Sequence, residues 1–84
     1  MPRYLVLTMR LSEFDPSRIP DHYAFLDRLR QQNRIELAGP FTDHSGGAYL
    51  LDAGDMAEAT ALAYEDPLHT NGSSRIIVHE WQAH

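Results

Sequence analysis

The chain has 84 residues, enough for a single domain over residues 1–84, and the absence of cysteine excludes disulfides, thiolate nucleophiles and thiolate metal sites. The formal net charge is −5 and the seven basic residues are dispersed arginines, so the basic face that nucleic-acid binding requires is missing. No segment has the pattern of a signal peptide or the length of a membrane span, so we expect a soluble cytoplasmic protein that binds neither nucleic acid nor membrane.

The first half of the chain predicts a strand, a helix and a second strand. Residues 3–9 are apolar and rich in strand formers, and the Asp15-Pro16 pair in the segment that follows favours a turn. Residues 20–33 predict the first helix, which begins with a proline and has an acidic residue in its first turn. The second strand is expected over residues 34–41. The face of the helix that turns to the core is predicted to carry His22, Phe25, Leu26 and Leu29, with Arg28 and Arg30 turned away.

The second half predicts a strand, a helix and a final strand. Residues 48–52 form a strand that follows a glycine-rich turn, so the second and third strands make a hairpin. Asp55 begins the second helix with the spacing of a capping box to Glu58, and Pro67 requires that helix to end by residues 65–66. Residues 68–74 are predicted to be a loop, and residues 75–82 the last strand.

This order predicts an α+β fold, the ferredoxin-like βαββαβ arrangement with a four-stranded antiparallel sheet. Two helices cover one face of such a sheet, yet the first and last strands are apolar on both faces. An uncovered apolar face marks an interaction surface, and pairing two copies across a two-fold axis would close it into a dimeric α/β barrel. We therefore expect a homodimer that associates through the sheet face. The alternative is a face that is only mildly apolar and hydrated.

Several short segments resemble the YCII (YciI-like) family. The segments are Tyr4-Leu-Val-Leu at the first strand, His22-x-x-Phe-Leu at the first helix, residues 33–40 ending in Ala-Gly-Pro, the hairpin pair Gly46-Gly47, and Asp66-Pro67-Leu68 followed by Gly72. Their order and spacing together resemble the family over nearly the whole chain. Leu68 stands where the family usually has an aromatic residue.

The resemblance implies a ferredoxin-like dimer with a pocket beside the sheet and a histidine–aspartate pair inside it. Carried over to this sequence, the catalytic pair is His22 and Asp66. Some members of the family are similar in shape to muconolactone isomerase, and one resembles a dehydrochlorinase that acts on a chlorinated hydroxyhydroquinone. A reaction on a small aromatic, enol or lactone-type ligand is what the resemblance implies for the chemistry.

The position of His22 fits a proton-transfer role. It falls in the first turn of the helix on the apolar face, where the helix dipole disfavours imidazolium while a nearby carboxylate would favour it and select one tautomer. A neutral imidazole suits proton abstraction. The alternatives are that His22 is a core or capping residue, and that Asp66 only caps the Asp-Pro turn.

Six further residues are candidates for contact with a ligand. Arg10 and Tyr4 offer a cation and a hydroxyl to an acidic or phenolic ligand, and His69 follows the Asp-Pro segment. Gly39, Pro40 and Leu68 are expected to shape the pocket wall. No HxH, HxxxH or HExxH spacing, phosphate-binding glycine loop or dinucleotide fingerprint occurs, so neither a metal nor a cofactor is expected.

Two functions that use the pocket remain open from the sequence, beside a purely structural assembly subunit, in which side chains would close the pocket off. One is a cofactor-independent enzyme, an isomerase or a lyase of the dehydrochlorinase kind, in which His22 and Asp66 act as general acid and base. The other is a non-catalytic module that binds a small ligand or an interaction partner with the same pocket.

Overall fold

The computed structural model describes residues 3–83 and contains one four-stranded antiparallel sheet. The strands are β1 (Arg3–Arg10), β2 (Ile35–Pro40), β3 (Gly46–Asp52) and β4 (Ser74–Trp81). Their spatial order is β2-β3-β1-β4, so the first strand lies at the centre and pairs with both β3 and β4. This order confirms the predicted ferredoxin-like α+β fold.

Three helices accompany the sheet: α1 (Ile19–Gln31), α2 (Met56–Ala63) and α3 (Pro67–Thr70). A 3-10 turn at Pro16–Arg18 leads directly into α1, and proline lies in the first turn of α1 as the sequence predicts. The prediction of a loop over residues 68–74 is wrong in its first half, because α3 occupies it. Asp66 caps this single turn and Pro67 starts it, a combination that suits a helix start as well as a turn. Over residues 3–83, no helix is long and apolar enough to cross a membrane.

The core lies between the helices and one face of the sheet. Alternate residues of β1 are buried on this face, and the fully buried residues of α2 are alanines, whose small side chains let the helix approach the strands closely, while Leu62 packs against the core from a partly buried position. The core side chains are Tyr4, Val6, Phe25, Leu26, Leu29, Ile35, Tyr49, Leu51, Ala53, Ala59, Ala63 and Ile76. The predicted apolar face of α1 is therefore confirmed for Phe25, Leu26 and Leu29.

The opposite face of the sheet carries a second apolar set that no helix covers. On β1 this set comprises Leu5, Leu7 and Met9, all of which are partly exposed. Leu7 lies at its centre, paired with Ala48 on one side and Ile77 on the other. The two alternating sets of β1 therefore belong to two different faces, one packed under the helices and one open.

Hydrogen bonds and an ion pair hold the start of α2. The Asp55 carboxylate accepts from the Glu58 amide at 2.8 Å. The Glu58 carboxylate accepts from the Gly54 amide at 3.1 Å and from Arg34 at 2.6 Å. In a capping box this carboxylate would bond to the amide of the capping residue, Asp55, but here it bonds to the amide one residue earlier. The hydrogen bond from Arg34, followed by that from Gly54, lowers the pKa of Glu58. This cluster ties the start of α2 to the segment that enters β2.

The β2–β3 hairpin packs unusually close to β1. β3 begins at Gly46, two residues before the predicted start, because Gly46 and Gly47 pair with Met9 and Thr8 of β1. A Cβ atom on Gly46 would lie 2.0 Å from the backbone oxygen of Thr8. Glycine, which weakens strands elsewhere, is here what allows the backbones to approach.

Candidate active site

A cavity of about 210 Å³ opens between one side of α1, the β2–β3 hairpin and the start of β4. Its wall combines apolar groups of α1, β2 and α3 with polar groups of α1, β1, β3 and β4. The lining residues used below are Thr8, Arg10, Phe14, His22, Tyr23, Arg30, Gly39, Pro40, Tyr49, Leu68 and Ser74. A cavity of this size suits one small ring.

His22 and Asp66 are in direct contact. The Nδ1 atom of His22 lies 2.8 Å from Asp66 Oδ2 and 2.9 Å from Asp66 Oδ1. The Asp66 side chain is fully buried, whereas that of His22 is 13% exposed and lines the cavity. The aspartate therefore lies behind the histidine and is shielded from the ligand space by it.

The contact defines the tautomer of the imidazole. An ionised carboxylate can only accept hydrogen bonds, so Nδ1 must carry the proton that it donates to Asp66. In the neutral imidazole Nε2 is then an acceptor, and no side chain or backbone group of residues 3–83 bonds to it. The lone pair of Nε2 is left for a ligand in the cavity.

Asp66 also caps α3. Its Oδ1 atom accepts from the Leu68 amide at 2.9 Å, which satisfies a first-turn N–H of that helix. The sequence left two alternatives for Asp66, capping of the Asp-Pro segment and contact with His22. The same carboxylate does both. Because the cap holds Asp66 rigidly, it also fixes the orientation of the imidazole.

Two buried hydroxyls of the cavity wall have no hydrogen-bond partner among residues 3–83: Tyr49 Oη and Ser74 Oγ. Burial, and after it the negative charge of Asp66, raises the pKa of Tyr49 well above its usual range. The phenol therefore remains protonated and is a donor at any physiological pH. A third hydroxyl, Thr8 Oγ1, already donates to the backbone oxygen of Gly47 at 3.3 Å.

Arginines lie at the cavity rim. The guanidinium of Arg10 lies 4.2 Å from the ring centroid of Phe14, a cation–π contact that holds it in place. Within residues 3–83, Arg10 has no carboxylate within salt-bridge distance, whereas Arg30 pairs with Asp27 at 3.2 Å. Arg30 turns away from the core, as the sequence predicts. From the exposed side of α1 its side chain reaches the rim of the cavity.

The other predicted ligand contacts divide into two groups. Arg10, Gly39, Pro40 and Leu68 line the cavity together with His22. Tyr4 and His69 do not line it. Tyr4 is buried in the core nearer the other end of β1, and His69 stacks on Tyr64 with ring centroids 4.3 Å apart, beside a separate open groove.

Tyr49 and Ser74 were missed from the sequence. Tyr49 alternates with Leu51 on the core side of β3, and this alternation predicts only an ordinary strand residue. A tyrosine hydroxyl at a core position needs a partner, and that requirement is the signal that would have selected it. Ser74 carries no such signal.

Within the described range 3–83, no group of three or more His, Asp or Glu side chains is arranged to hold a metal ion.

Comparison with known proteins places this geometry in context. A family model described as the YCII-related domain matches residues 6–82. The uncharacterized protein YjpA of Bacillus subtilis (strain 168) is 43% identical over 82 residues, which cover 98% of this chain and 96% of that relative. A solved structure of 5-chloro-2-hydroxyhydroquinone dehydrochlorinase (TftG) from Burkholderia phenoliruptrix AC1100, in complex with 2,5-dihydroxybenzoquinone, superposes with a TM-score of 0.79 at 21% identity. The match covers 98% of this chain and 95% of the dehydrochlorinase, and it shows a shared fold.

Proposed function

The chain belongs to the YCII-related domain family, and we propose that it is a cofactor-independent enzyme that uses His22, held by Asp66, as a general acid–base on a small ligand. The observation that supports this proposal most directly is the buried carboxylate that contacts Nδ1 of a cavity-lining histidine, whose Nε2 has no hydrogen-bond partner among residues 3–83. A positioned base with a fixed tautomer is what proton abstraction requires. A histidine that served only packing would not need its second nitrogen at an open space.

The walls of the cavity favour a small aromatic, enol or lactone-type ligand. The volume of about 210 Å³ accommodates roughly one ring with substituents, and Leu68 and Phe14 offer apolar contact. Arg10, with no carboxylate partner within residues 3–83, would bind an anionic or phenolic oxygen at the rim. The dehydrochlorinase of the same fold was solved with a hydroxylated quinone, which agrees with this ligand class.

The proposed step is a proton transfer. Nε2 of His22 accepts a proton from an acidic C–H or O–H bond of the ligand, and the electron pair of that bond moves toward a ligand oxygen. In an isomerisation, the imidazolium returns the proton to another carbon. In an elimination, the electron pair expels a leaving group such as chloride as a new double bond forms. Asp66 stabilises the imidazolium in both cases.

We expect the wild-type chain to catalyse proton exchange or product formation on members of this ligand class. The test offers 5-chloro-2-hydroxyhydroquinone, followed by chloride release, and an enol-lactone such as muconolactone in D₂O, followed by NMR of its exchangeable C–H positions. Turnover or exchange above the rate without protein supports the enzyme. A ligand that binds with neither exchange nor product contradicts it and favours the binding module.

We also propose that the protein is a homodimer in which the open sheet faces of two copies pack together. The open face has partly exposed Leu5, Leu7 and Met9 at its centre, and α1 and α2 lie on the opposite side. A chain of 84 residues buries a smaller fraction of its surface on folding than a larger domain does, so covering this face contributes to stability. Isologous pairing needs only one self-complementary face.

Leu7→Lys is expected to convert the dimer to a monomer, because it places a charge at the centre of the paired faces. Met56→Lys is the matched control: Met56 is 40% exposed on α2, in the helical layer. Sedimentation equilibrium should give twice the 9.6 kDa chain mass for wild type and Met56→Lys, and the chain mass for Leu7→Lys. A wild-type protein at the mass of one chain would contradict the dimer.

A further inference from the structure

Two hydroxyls of the cavity wall are both buried and unpaired. Tyr49 is 2% exposed and Ser74 is 3% exposed, and neither hydroxyl has a partner among residues 3–83. Both residues line the cavity that His22 also lines. Buried polar atoms are nearly always hydrogen-bonded, so an unpaired hydroxyl needs a reason, and two in one cavity wall point to the content of that cavity.

Neighbouring hydroxyls do have hydrogen-bond partners, so the fold is able to supply them in this region. Ser73, next to Ser74 and fully buried, accepts from the Asp15 amide at 3.1 Å. Thr8, on the adjacent strand, donates to Gly47. Among the buried hydroxyls of residues 3–83, the unpaired state is thus confined to Tyr49 and Ser74, two residues of the cavity wall.

We propose that Tyr49 and Ser74 form a donor subsite for the ligand oxygen atoms that gain negative charge when His22 removes a proton. The proposal rests on the proposed function and adds to it the chemistry of the ligand: carbonyl, enolate or phenolate oxygens that accept hydrogen bonds on the sheet side of the cavity. Arg10, the cross-strand partner of Ser74, also lines the cavity and adds a cation for the same class of ligand oxygen.

The chemical properties of the two donors suit this task. Tyr49 keeps its proton, since burial and the nearby Asp66 charge raise its pKa, and a protonated phenol donates a strong hydrogen bond to an enolate. Donors that are already desolvated and held by strands need little reorganisation when the charge develops. Tyr49 and Ser74 are therefore positioning and oxyanion-stabilising groups, and His22 is the base.

The subsite is tested by removing each hydroxyl alone and measuring binding of 2,5-dihydroxybenzoquinone by calorimetry. Tyr49→Phe and Ser74→Ala should each weaken the Kd about 10- to 100-fold, the range expected for a lost hydrogen bond to a charged acceptor. Without the quinone, both variants should melt at or above the wild-type temperature, because each loses an unsatisfied buried group.

Matched controls separate this role from a structural one. Tyr4→Phe removes the hydroxyl of a buried core tyrosine outside the cavity, and Ser73→Ala removes a serine hydroxyl that already has a partner. Both controls should bind the quinone with the wild-type Kd, and Ser73→Ala should melt at a lower temperature. Tyr49→Phe and Ser74→Ala variants that melt lower and bind unchanged would overturn the assignment, as would a wild-type chain that does not bind the quinone at millimolar concentration.

The outcome is independent of whether His22 is catalytic. Weakened binding in Tyr49→Phe and Ser74→Ala, with no proton exchange by the wild type, would support the donor subsite and contradict the enzyme. Proton exchange by the wild type, with Kd and KM unchanged in both variants, would support the enzyme and overturn the subsite.

Discussion

Replacing His22 with asparagine is expected to reduce turnover about 10²- to 10⁴-fold while the fold is retained, the range that general acid–base catalysis contributes. Asparagine places an N–H donor close to the position of Nδ1, so the buried Asp66 carboxylate keeps a partner. It has no group equivalent to Nε2, so the base is lost. The measurement is kcat on whichever substrate the wild type turns over, with far-ultraviolet circular dichroism and a melting curve for each protein.

His22→Ala is the harsher companion to this variant. It removes the base and also leaves the fully buried Asp66 carboxylate without its histidine donor. An unsatisfied buried group costs about 1–3 kcal/mol, and more when it is charged. We therefore expect His22→Ala to lose activity and stability together, and His22→Asn to lose activity alone. Equal kcat in wild type and His22→Asn would contradict the catalytic role.

Variants of Asp66 distinguish its two contacts. Asn in place of Asp66 can still accept from the Leu68 amide and from Nδ1 of His22, but it removes the charge that stabilises the imidazolium. Its effect should fall on kcat more than on stability. Asp66→Ala also removes the cap of α3, and substitution of a capping residue costs about 0.5–2 kcal/mol on its own. Wild-type kcat in Asp66→Asn would show that the carboxylate serves α3 alone.

Gly46→Ala is expected to have the largest effect on stability. A Cβ atom there would lie 2.0 Å from the Thr8 backbone oxygen and 3.0 Å from the Met9 Cα, and both belong to the central strand. Backbone atoms cannot rotate away as a flexible side chain does, so β3 must move away from β1 or the hairpin must distort. The φ of +157° at this residue adds strain for an L-residue. Overpacking typically costs about 1–3 kcal/mol, and we expect the upper end of that range.

The melting temperature should report this loss directly. For a domain of this size, 1 kcal/mol corresponds to a shift of about 4–8 °C, so Gly46→Ala should melt at least about 10 °C below wild type. Gly39→Ala is the control on the neighbouring strand, because a Cβ there meets no heavy atom within 4 Å. A Gly46→Ala protein that melts within about 2 °C of wild type would show that the hairpin relaxes freely, contrary to this reading.

Local sequence signals were sufficient for most of the fold. Alternation of apolar residues in β1 and β4 and the helical spacing of Phe25, Leu26 and Leu29 gave the element order, because each depends on residues close together in the chain. The two apolar faces of β1 predicted an open sheet surface for the same reason. Asp66-Pro67 was ambiguous, since a capped turn and a capped helix begin with the same residues, and the short α3 was read as a loop.

For the site, too, local sequence signals predicted one part and long-range packing decided the rest. The sequence by itself determined that His22 lies at the start of a helix, on its core side, and it suggested Asp66 only through resemblance to the YCII family. Their contact at 2.8 Å joins residues 44 positions apart, so it depends on how α1 packs against α3. Tyr49 and Ser74 meet at one cavity because β3 and β4 flank β1 from opposite sides. Only the tertiary structure decided which side chains share that space, because the spatial order of the strands is set by long-range packing.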